Sequence, residues 1–146
     1  MKKYTLGLIF DQSLSQILLM HKTKPAFQVG KLNGLGGKIE EGETPEACIA
    51  REVREESGLN IKPAAWVRIG TTGGTNWTME VFAHRYLGNL SDAKSLEAEQ
   101  IEWFHINQLP TPVLTNIPWM IAFAVETFRS LPGQTFFVDV GNELAT

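Results

Sequence analysis

Three glutamates lie close together in the chain: Glu52, Glu55 and Glu56. Spacings of three and four residues place side chains on the same face of an α-helix, so these carboxylates are predicted to lie near one another. They fall in the last turns of a predicted helix, where the helix dipole disfavours negative charge. Clustered carboxylates without cysteine or histidine partners are typical ligands of Mg²⁺ or Mn²⁺. The sequence therefore predicts a Mg²⁺ or Mn²⁺ site, with a solvated acidic helix face as the alternative.

A glycine-rich segment, Asn33-Gly34-Leu35-Gly36-Gly37-Lys38, precedes this helix. Glycine allows the backbone to approach a phosphate or a metal ion closely, and backbone carbonyls are good ligands for hard cations. A P-loop is excluded, because Leu32 and Ile39 stand where that motif requires glycine and serine or threonine. The alternative interpretation of the glycines is a simple tight turn.

Cysteine and histidine chemistry receives little support. A single cysteine, Cys48, cannot form an internal disulfide, and three widely spaced histidines cannot complete a zinc cluster with it. Cys48 is predicted to be a small packed residue, and Ser57 has no neighbouring histidine with which to form a catalytic triad.

The helix that carries the glutamates has clear signals at both ends. Thr44, Pro45 and Glu46 match an N-cap, a first-turn proline and a first-turn acidic residue. Gly58 matches the glycine that follows a helix C-terminus. These signals predict a helix of about 13 residues between Thr44 and Gly58.

Alternating and β-branched stretches predict a sheet around this helix. The predicted strands cover residues 4–10, 16–20, 66–71, 78–86, 101–106 and 135–140. A second helix is predicted over residues 119–128, with Asn116 before its first turn. The order of elements indicates a mixed α/β fold with few helices and many strands.

The composition of the chain limits the kinds of partner that it is expected to bind. The chain has 146 residues and a formal net charge of −3, so it offers no basic field for a nucleic-acid polymer. Its apolar runs, such as residues 119–125, are too short to span a bilayer, and its N-terminus lacks the pattern of a signal peptide. We expect residues 1–146 to form one domain in the cytoplasm, without a membrane partner.

The spacing of the acidic residues resembles a family signature. Gly37 is followed after five residues by Glu43, and after seven more by Arg51-Glu52-Val53-Arg54-Glu55-Glu56-Ser57-Gly58-Leu59. This resembles the Nudix hydrolase signature at every defined position. The resemblance implies the Nudix fold, which is a mixed β-sheet sandwiched between helices (α/β/α).

The resemblance also implies roles for the signature residues. The metal would be held by Glu52, Glu55, Glu56 and the carbonyl of Gly37. Glu43 and Arg51 would join loop to helix by an ion pair. A further glutamate before the strand at Trp103 usually completes the metal cluster; Glu97 and Glu99 both fit, and we favour Glu99.

The similarity extends to the MutT-like, oxidised-purine nucleoside triphosphatase branch of the family. Tyr4-Thr5-Leu6 and the segment from Phe27 to Lys38 carry it, and it implies that Thr5, Phe27 and Asn33 line a base pocket. Thr115-Asn116-Ile117-Pro118 resembles the MutT segment whose asparagine reads the base, so Asn116 is a second predicted base reader or an ordinary N-cap. Lys38 and Lys24 are predicted phosphate contacts.

These resemblances imply Mg²⁺-dependent hydrolysis of nucleoside triphosphates with a preference for oxidised purines. Two alternatives stay open. One is a Nudix hydrolase of ADP-ribose, a dinucleoside polyphosphate or an RNA 5′ end, and the other is a nucleotide-binding regulator without turnover. The partner is expected to be a nucleotide, and the chain a monomer or a homodimer.

Overall fold

The computed structural model describes residues 1–110 and 112–141. Over these ranges the chain forms seven strands and two α-helices. The strands are β1 (Lys2–Phe10), β2 (Gln16–His21), β3 (Leu32–Asn33), β4 (Val67–Gly74), β5 (Trp77–Arg85), β6 (Ile101–His105) and β7 (Phe136–Gly141). The helices are α1 (Pro45–Ser57) and α2 (Ile117–Arg129).

All seven strands belong to one mixed sheet in the order β3-β2-β1-β5-β4-β7, and β6 pairs with β2. The central pair, β1 and β5, is parallel along its whole length. The pair of β4 and β7 is also parallel, whereas β1–β2, β2–β3, β2–β6 and β4–β5 are antiparallel. The central position of β1 matters for function, because the glycine-rich loop lies beside it.

Helices cover both faces of the sheet. On one face, Ile49 and Val53 of α1 pack into a buried cluster with residues of the sheet. On the other, Met120 and Ala124 of α2 pack into a second cluster. The sheet residues buried beneath α1 include Ile9, Leu18 and Phe82, and those beneath α2 include Leu6, Leu8 and Val81. The predicted α/β/α sandwich is confirmed.

Helix α1 begins and ends where its local signals predict. The Thr44 hydroxyl accepts a hydrogen bond from the N–H of Ala47 at 3.1 Å, and Pro45 occupies the first turn. Gly58 ends the helix in the left-handed conformation, with φ of 77°. These contacts satisfy backbone groups at both helix ends and fix the position of the glutamates along the sheet.

Other predicted boundaries shift by a few residues. Helix α2 is longer than predicted, and β4 extends three residues beyond its predicted end to Gly74, so the chain reverses at residues 75–76. The two-residue strand β3 was not predicted. Within the described residues, neither helix is long and apolar enough to cross a membrane.

Candidate active site

The glycine-rich loop is hydrogen-bonded along β1. The N–H of Gly7 donates to the carbonyl of Leu35 at 2.6 Å, and the N–H of Thr5 donates to the carbonyl of Gly37 at 2.8 Å. Gly36 has φ of 148°, and a Cβ there would collide with the carbonyl of Thr5. Only glycine fits at this position, and its lack of a side chain allows the loop to lie directly against the strand.

Two carboxylates of α1 lie directly against this loop. The Glu52 carboxylate occupies the space where a side chain at Gly37 would stand. Glu56 is only 6% exposed and accepts a hydrogen bond from the N–H of Gly36 at 3.0 Å. Glu55 lies nearer to solvent. Two of the three predicted carboxylates are therefore held under the loop, and the third lies at its rim.

The cluster carries more negative charge than its surroundings stabilise. Burial, and next the charge of Glu52, raise the pKa of Glu56 to about 8. Burial also raises the pKa of Glu52. Carboxyl groups with raised pKa values gain most from a nearby cation, so the electrostatics favour cation binding.

The donor set fits Mg²⁺ or Mn²⁺. All candidate ligands are hard carboxylate oxygens, and the buried Glu56 receives its hydrogen bond from a neutral N–H. In the conformation of residues 1–110 and 112–141, however, no three acidic, histidine or cysteine side chains are already gathered as a metal site. Glu52 is paired with Arg51 instead, at 3.0 Å.

Arg51 joins the loop, the helix and the cluster. Its Nε and Nη2 donate to the two oxygens of Glu43 at 2.7 and 2.9 Å, which is a bidentate pair. Its Nη1 donates to Glu52 and lies 3.4 Å from Glu55. The hydrogen bonds from Arg51 lower the pKa of Glu43 to about 2, so this carboxylate stays ionised. The ion pair implied by the family resemblance is present.

The two candidates for a fourth carboxylate differ sharply. Glu99, which the sequence analysis favoured, accepts from Lys22 Nζ at 3.1 Å and from the N–H of Thr23 at 2.6 Å. The negative charge of Glu97, by contrast, contributes to the raised pKa of both Glu52 and Glu56. The hydrogen bonds therefore hold Glu99 against the end of β2, whereas Glu97 lies near enough to the cluster for its charge to act on Glu52 and Glu56.

Thr5 and the carbonyl of Gly37 both take part in contacts between the loop and β1. Thr5 was expected at the base pocket, yet it is only 3% exposed, and its hydroxyl lies 3.3 Å from Cys48 Sγ beneath α1. The carbonyl of Gly37 accepts the N–H of Thr5, which uses one of the two lone pairs of the oxygen, so metal ligation by this carbonyl stays a prediction. Both groups hold the loop to the strand. Cys48 is buried as predicted, and burial raises the pKa of its thiol to about 11.

The predicted base readers lie on neighbouring segments. Leu32, the residue before Asn33, forms a parallel bridge with Val113, three positions before Asn116. Asn33 Oδ1 accepts from the N–H of Gly34 at 2.9 Å, and its Nδ2 donates to Gln28. Asn116 occupies the N-cap position of α2, as the second interpretation predicts, but its side chain makes no capping hydrogen bond.

The remaining predicted residues lie at the surface. Phe27 is 42% exposed on a short turn, Ala26–Gln28, where its ring is available to a ligand. Lys24 is exposed, and the exposed Lys38 lines a cavity of about 310 Å³ beside Glu43. Sequence reasoning missed Lys22, which is largely buried and whose charge acts on Glu56. No sequence signal separates it from Lys24.

Comparison with known proteins identifies the family. The NUDIX domain model matches residues 1–123. The oxidized purine nucleoside triphosphate hydrolase of Mus musculus is 33% identical over 113 residues, which cover 73% of this chain and 68% of that protein. The NAD-capped RNA hydrolase NudC of Stutzerimonas stutzeri is 36% identical over 92 residues, covering 63% of this chain. The chain spans only 33% of the length of that NudC.

Solved structures share the fold. The MutT protein of Bacillus halodurans superposes with a TM-score of 0.71 at 20% identity, covering 97% of this chain and 90% of that one. Nudix hydrolases act on phosphoanhydride bonds of nucleotides and generally depend on divalent metal ions. The family model spans most of the sequence and the signature residues lie together on the loop and α1, so the chain belongs to the Nudix hydrolase family.

Proposed function

We propose that this protein is a Mg²⁺-dependent pyrophosphohydrolase of nucleoside triphosphates in the cytoplasm. It would convert an oxidised purine nucleotide such as 8-oxo-dGTP to the monophosphate and pyrophosphate. The observation that carries the hydrolytic part is the pair of carboxylates held against the glycine loop, namely the buried Glu56 and the partly buried Glu52. Relatives named for oxidised purine nucleotides support the choice of substrate.

The residues of the site would have separate roles in catalysis. Glu52, Glu56 and Glu55 would hold Mg²⁺ on α1, with Glu97 as the fourth carboxylate, and Mn²⁺ suits the same ligands. Bound Mg²⁺ supplies charge neutralisation for the phosphate chain and helps to orient the attacking water. Arg51 keeps Glu52 and Glu55 aligned and is itself oriented by Glu43. A carboxylate of the cluster accepts the proton of the water.

The two asparagines would read different atoms of the base. Oxidation at C8 converts guanine N7 from an acceptor into an N–H donor. Asn33 Oδ1 accepts from the N–H of Gly34 and Nδ2 gives one of its two hydrogens to Gln28, so the second hydrogen of Nδ2 would donate to a base carbonyl. The Asn116 side chain makes no capping hydrogen bond to α2, so its amide oxygen can accept a hydrogen bond from the N7–H of the oxidised base. Phe27 would cover the purine face.

The test is a comparison of kcat/KM for 8-oxo-dGTP and dGTP in Mg²⁺, with ADP-ribose and an NAD-capped RNA in the same screen. We expect wild type to prefer 8-oxo-dGTP and Asn116→Ala to lose about 5- to 150-fold of that preference, because an unpaired polar edge costs about 1–3 kcal/mol. Asn60→Ala, at an exposed site beyond α1, is the matched control and should keep it.

Absence of a preference in wild type would contradict the oxidised-purine assignment. Faster hydrolysis of ADP-ribose or capped RNA than of either triphosphate would place the chain with another Nudix substrate class. Full preference in Asn116→Ala would remove Asn116 from base recognition and leave the hydrolytic assignment intact.

A further inference from the structure

The carboxylate of Glu99 binds three donors at the end of β2. One oxygen accepts from Lys22 Nζ at 3.1 Å. The other accepts from the N–H of Thr23 at 2.6 Å and from its hydroxyl at 3.1 Å. The side chains of Lys22 and Glu99 are only 17% and 11% exposed, so the pair is shielded from water and its geometry is fixed.

Lys22 also closes the base of the loop that carries Phe27. Its N–H donates to the carbonyl of Lys31, and its carbonyl accepts the N–H of Gly30, both at 2.9 Å. The same residue acts electrostatically on Glu56 in the carboxylate cluster. Lys22 is therefore bound through its backbone to the loop that carries Phe27, and its charge lies near enough to the carboxylate cluster to act on Glu56.

We propose that Lys22 donates a hydrogen bond to the phosphate chain of the substrate and that Glu99 is a positioning residue that holds Lys22 in place. This inference rests on the proposed function, because the phosphate chain must pass from the Phe27 loop to the carboxylate cluster. It assigns Glu99 a role other than metal ligation.

The hydrogen-bonding capacity of both groups supports this assignment. A lysine ammonium has three donors, and Glu99 and the sulfur of Met20, at 3.9 Å, account for two of them. The third is available to a phosphate oxygen. Metal ligation by Glu99, in contrast, would compete with Lys22 and Thr23 for the same oxygens. A lysine held by a buried partner also loses less side-chain entropy on binding than a free surface lysine.

Five variants separate phosphate binding from metal binding. Lys22→Met removes the charge and keeps the stem, Lys22→Arg keeps the charge, and Glu99→Gln keeps the shape of the anchor. Lys62→Met changes an exposed lysine elsewhere and is the matched control. The double variant Lys22→Met/Glu99→Gln removes both charges, so it avoids leaving Glu99 buried without a partner if Lys22→Met alone folds poorly.

Binding of inorganic tripolyphosphate in Ca²⁺ is measured first, because it needs neither a base nor turnover. We expect Lys22→Met and the double variant to bind it about tenfold or more weakly, since a charge-assisted hydrogen bond is lost. Lys22→Arg should recover most of the affinity, and Lys62→Met should match wild type. Glu99→Gln should raise KM for dGTP more than it lowers kcat.

Mn²⁺ binding without nucleotide, followed by electron paramagnetic resonance, tests the second half of the proposal. Glu99→Gln should bind Mn²⁺ as wild type does. Much weaker Mn²⁺ binding would make Glu99 a metal ligand and overturn its positioning role. Wild-type tripolyphosphate affinity in the double variant would overturn the role of Lys22. Failure of wild type to hydrolyse dGTP and 8-oxo-dGTP would instead contradict the proposed function, and the binding result would still decide the Lys22 assignment.

Discussion

Glu43→Gln tests whether the ion pair with Arg51 is the connection between loop and helix. The substitution keeps the size of the side chain but removes the charge that Arg51 holds through two hydrogen bonds of 2.7 and 2.9 Å. Both side chains are largely buried, at 19% exposure for Arg51 and 14% for Glu43. A partly buried guanidinium would therefore lose its ionised partner and gain only a neutral amide in exchange.

The expected cost follows from the pKa of Glu43. The hydrogen bonds of Arg51 lower this pKa from 4.5 to about 2, so the pair stabilises the folded state when Glu43 is ionised. Allowing for solvent screening of the partly exposed pair, we expect a loss of about 1–3 kcal/mol at neutral pH, or about 3–10 °C in Tm. Activity should also fall, because the same guanidinium aligns Glu52 and Glu55.

The assay is urea unfolding of wild type and variant over a range of pH. A carboxyl whose pKa is lowered on folding contributes stability above its unfolded pKa, and loses it as pH falls through the folded value. The difference between the two proteins should therefore shrink as pH falls from 4.5 towards 2. Glu41→Gln, at an exposed neighbouring glutamate, is the control and should behave as wild type. Equal free energies of unfolding for wild type and Glu43→Gln at neutral pH would contradict a stabilising ion pair. So would a difference between the two that persists unchanged in acid.

Two further predictions concern the carboxylate cluster. Because the pKa of Glu56 is raised from 4.5 to about 8, metal-free wild type should lose stability as pH rises through that window, by about 3–5 kcal/mol. In urea unfolding with EDTA, the free energy of unfolding of Glu56→Gln should change much less over the same pH range. An equal loss of stability in the two proteins would contradict this prediction. Gly37→Ala should lower both kcat and stability, the latter by about 1–3 kcal/mol, since its methyl group would displace the Glu52 carboxylate. Wild-type kcat and Tm in that variant would show that the contact is unimportant.

Local signals account for the parts of the fold that the sequence predicts well. Helix α1 is defined by Thr44, Pro45 and Gly58, which act on backbone groups within one turn of themselves. The position of the carboxylates follows directly, since helical spacing puts Glu52 and Glu56 on one face. The strands of the central sheet were also found, because they are long and apolar or alternating.

Contacts between distant segments explain what the sequence could not show. Thr5 lies on the face of β1 that α1 covers, and nothing in its neighbours along the chain indicates that Cys48 will pack on it. Which of Glu97 and Glu99 is available as the fourth carboxylate depends on the N–H of Thr23. This group lies just after β2, far from Glu99 in the sequence, and donates to its carboxylate. Sequence spacing was ambiguous there because it carries no information on that contact.

The most direct test of the central claim follows the products of 8-oxo-dGTP hydrolysis by phosphorus NMR. With Mg²⁺, we predict equal amounts of monophosphate and pyrophosphate, and EDTA should stop the reaction. Folded Glu56→Gln should be slower by at least about 100-fold, because it loses a carboxylate proposed to hold the catalytic ion. Release of orthophosphate in place of pyrophosphate, or more than half of wild-type turnover in Glu56→Gln, would contradict the account.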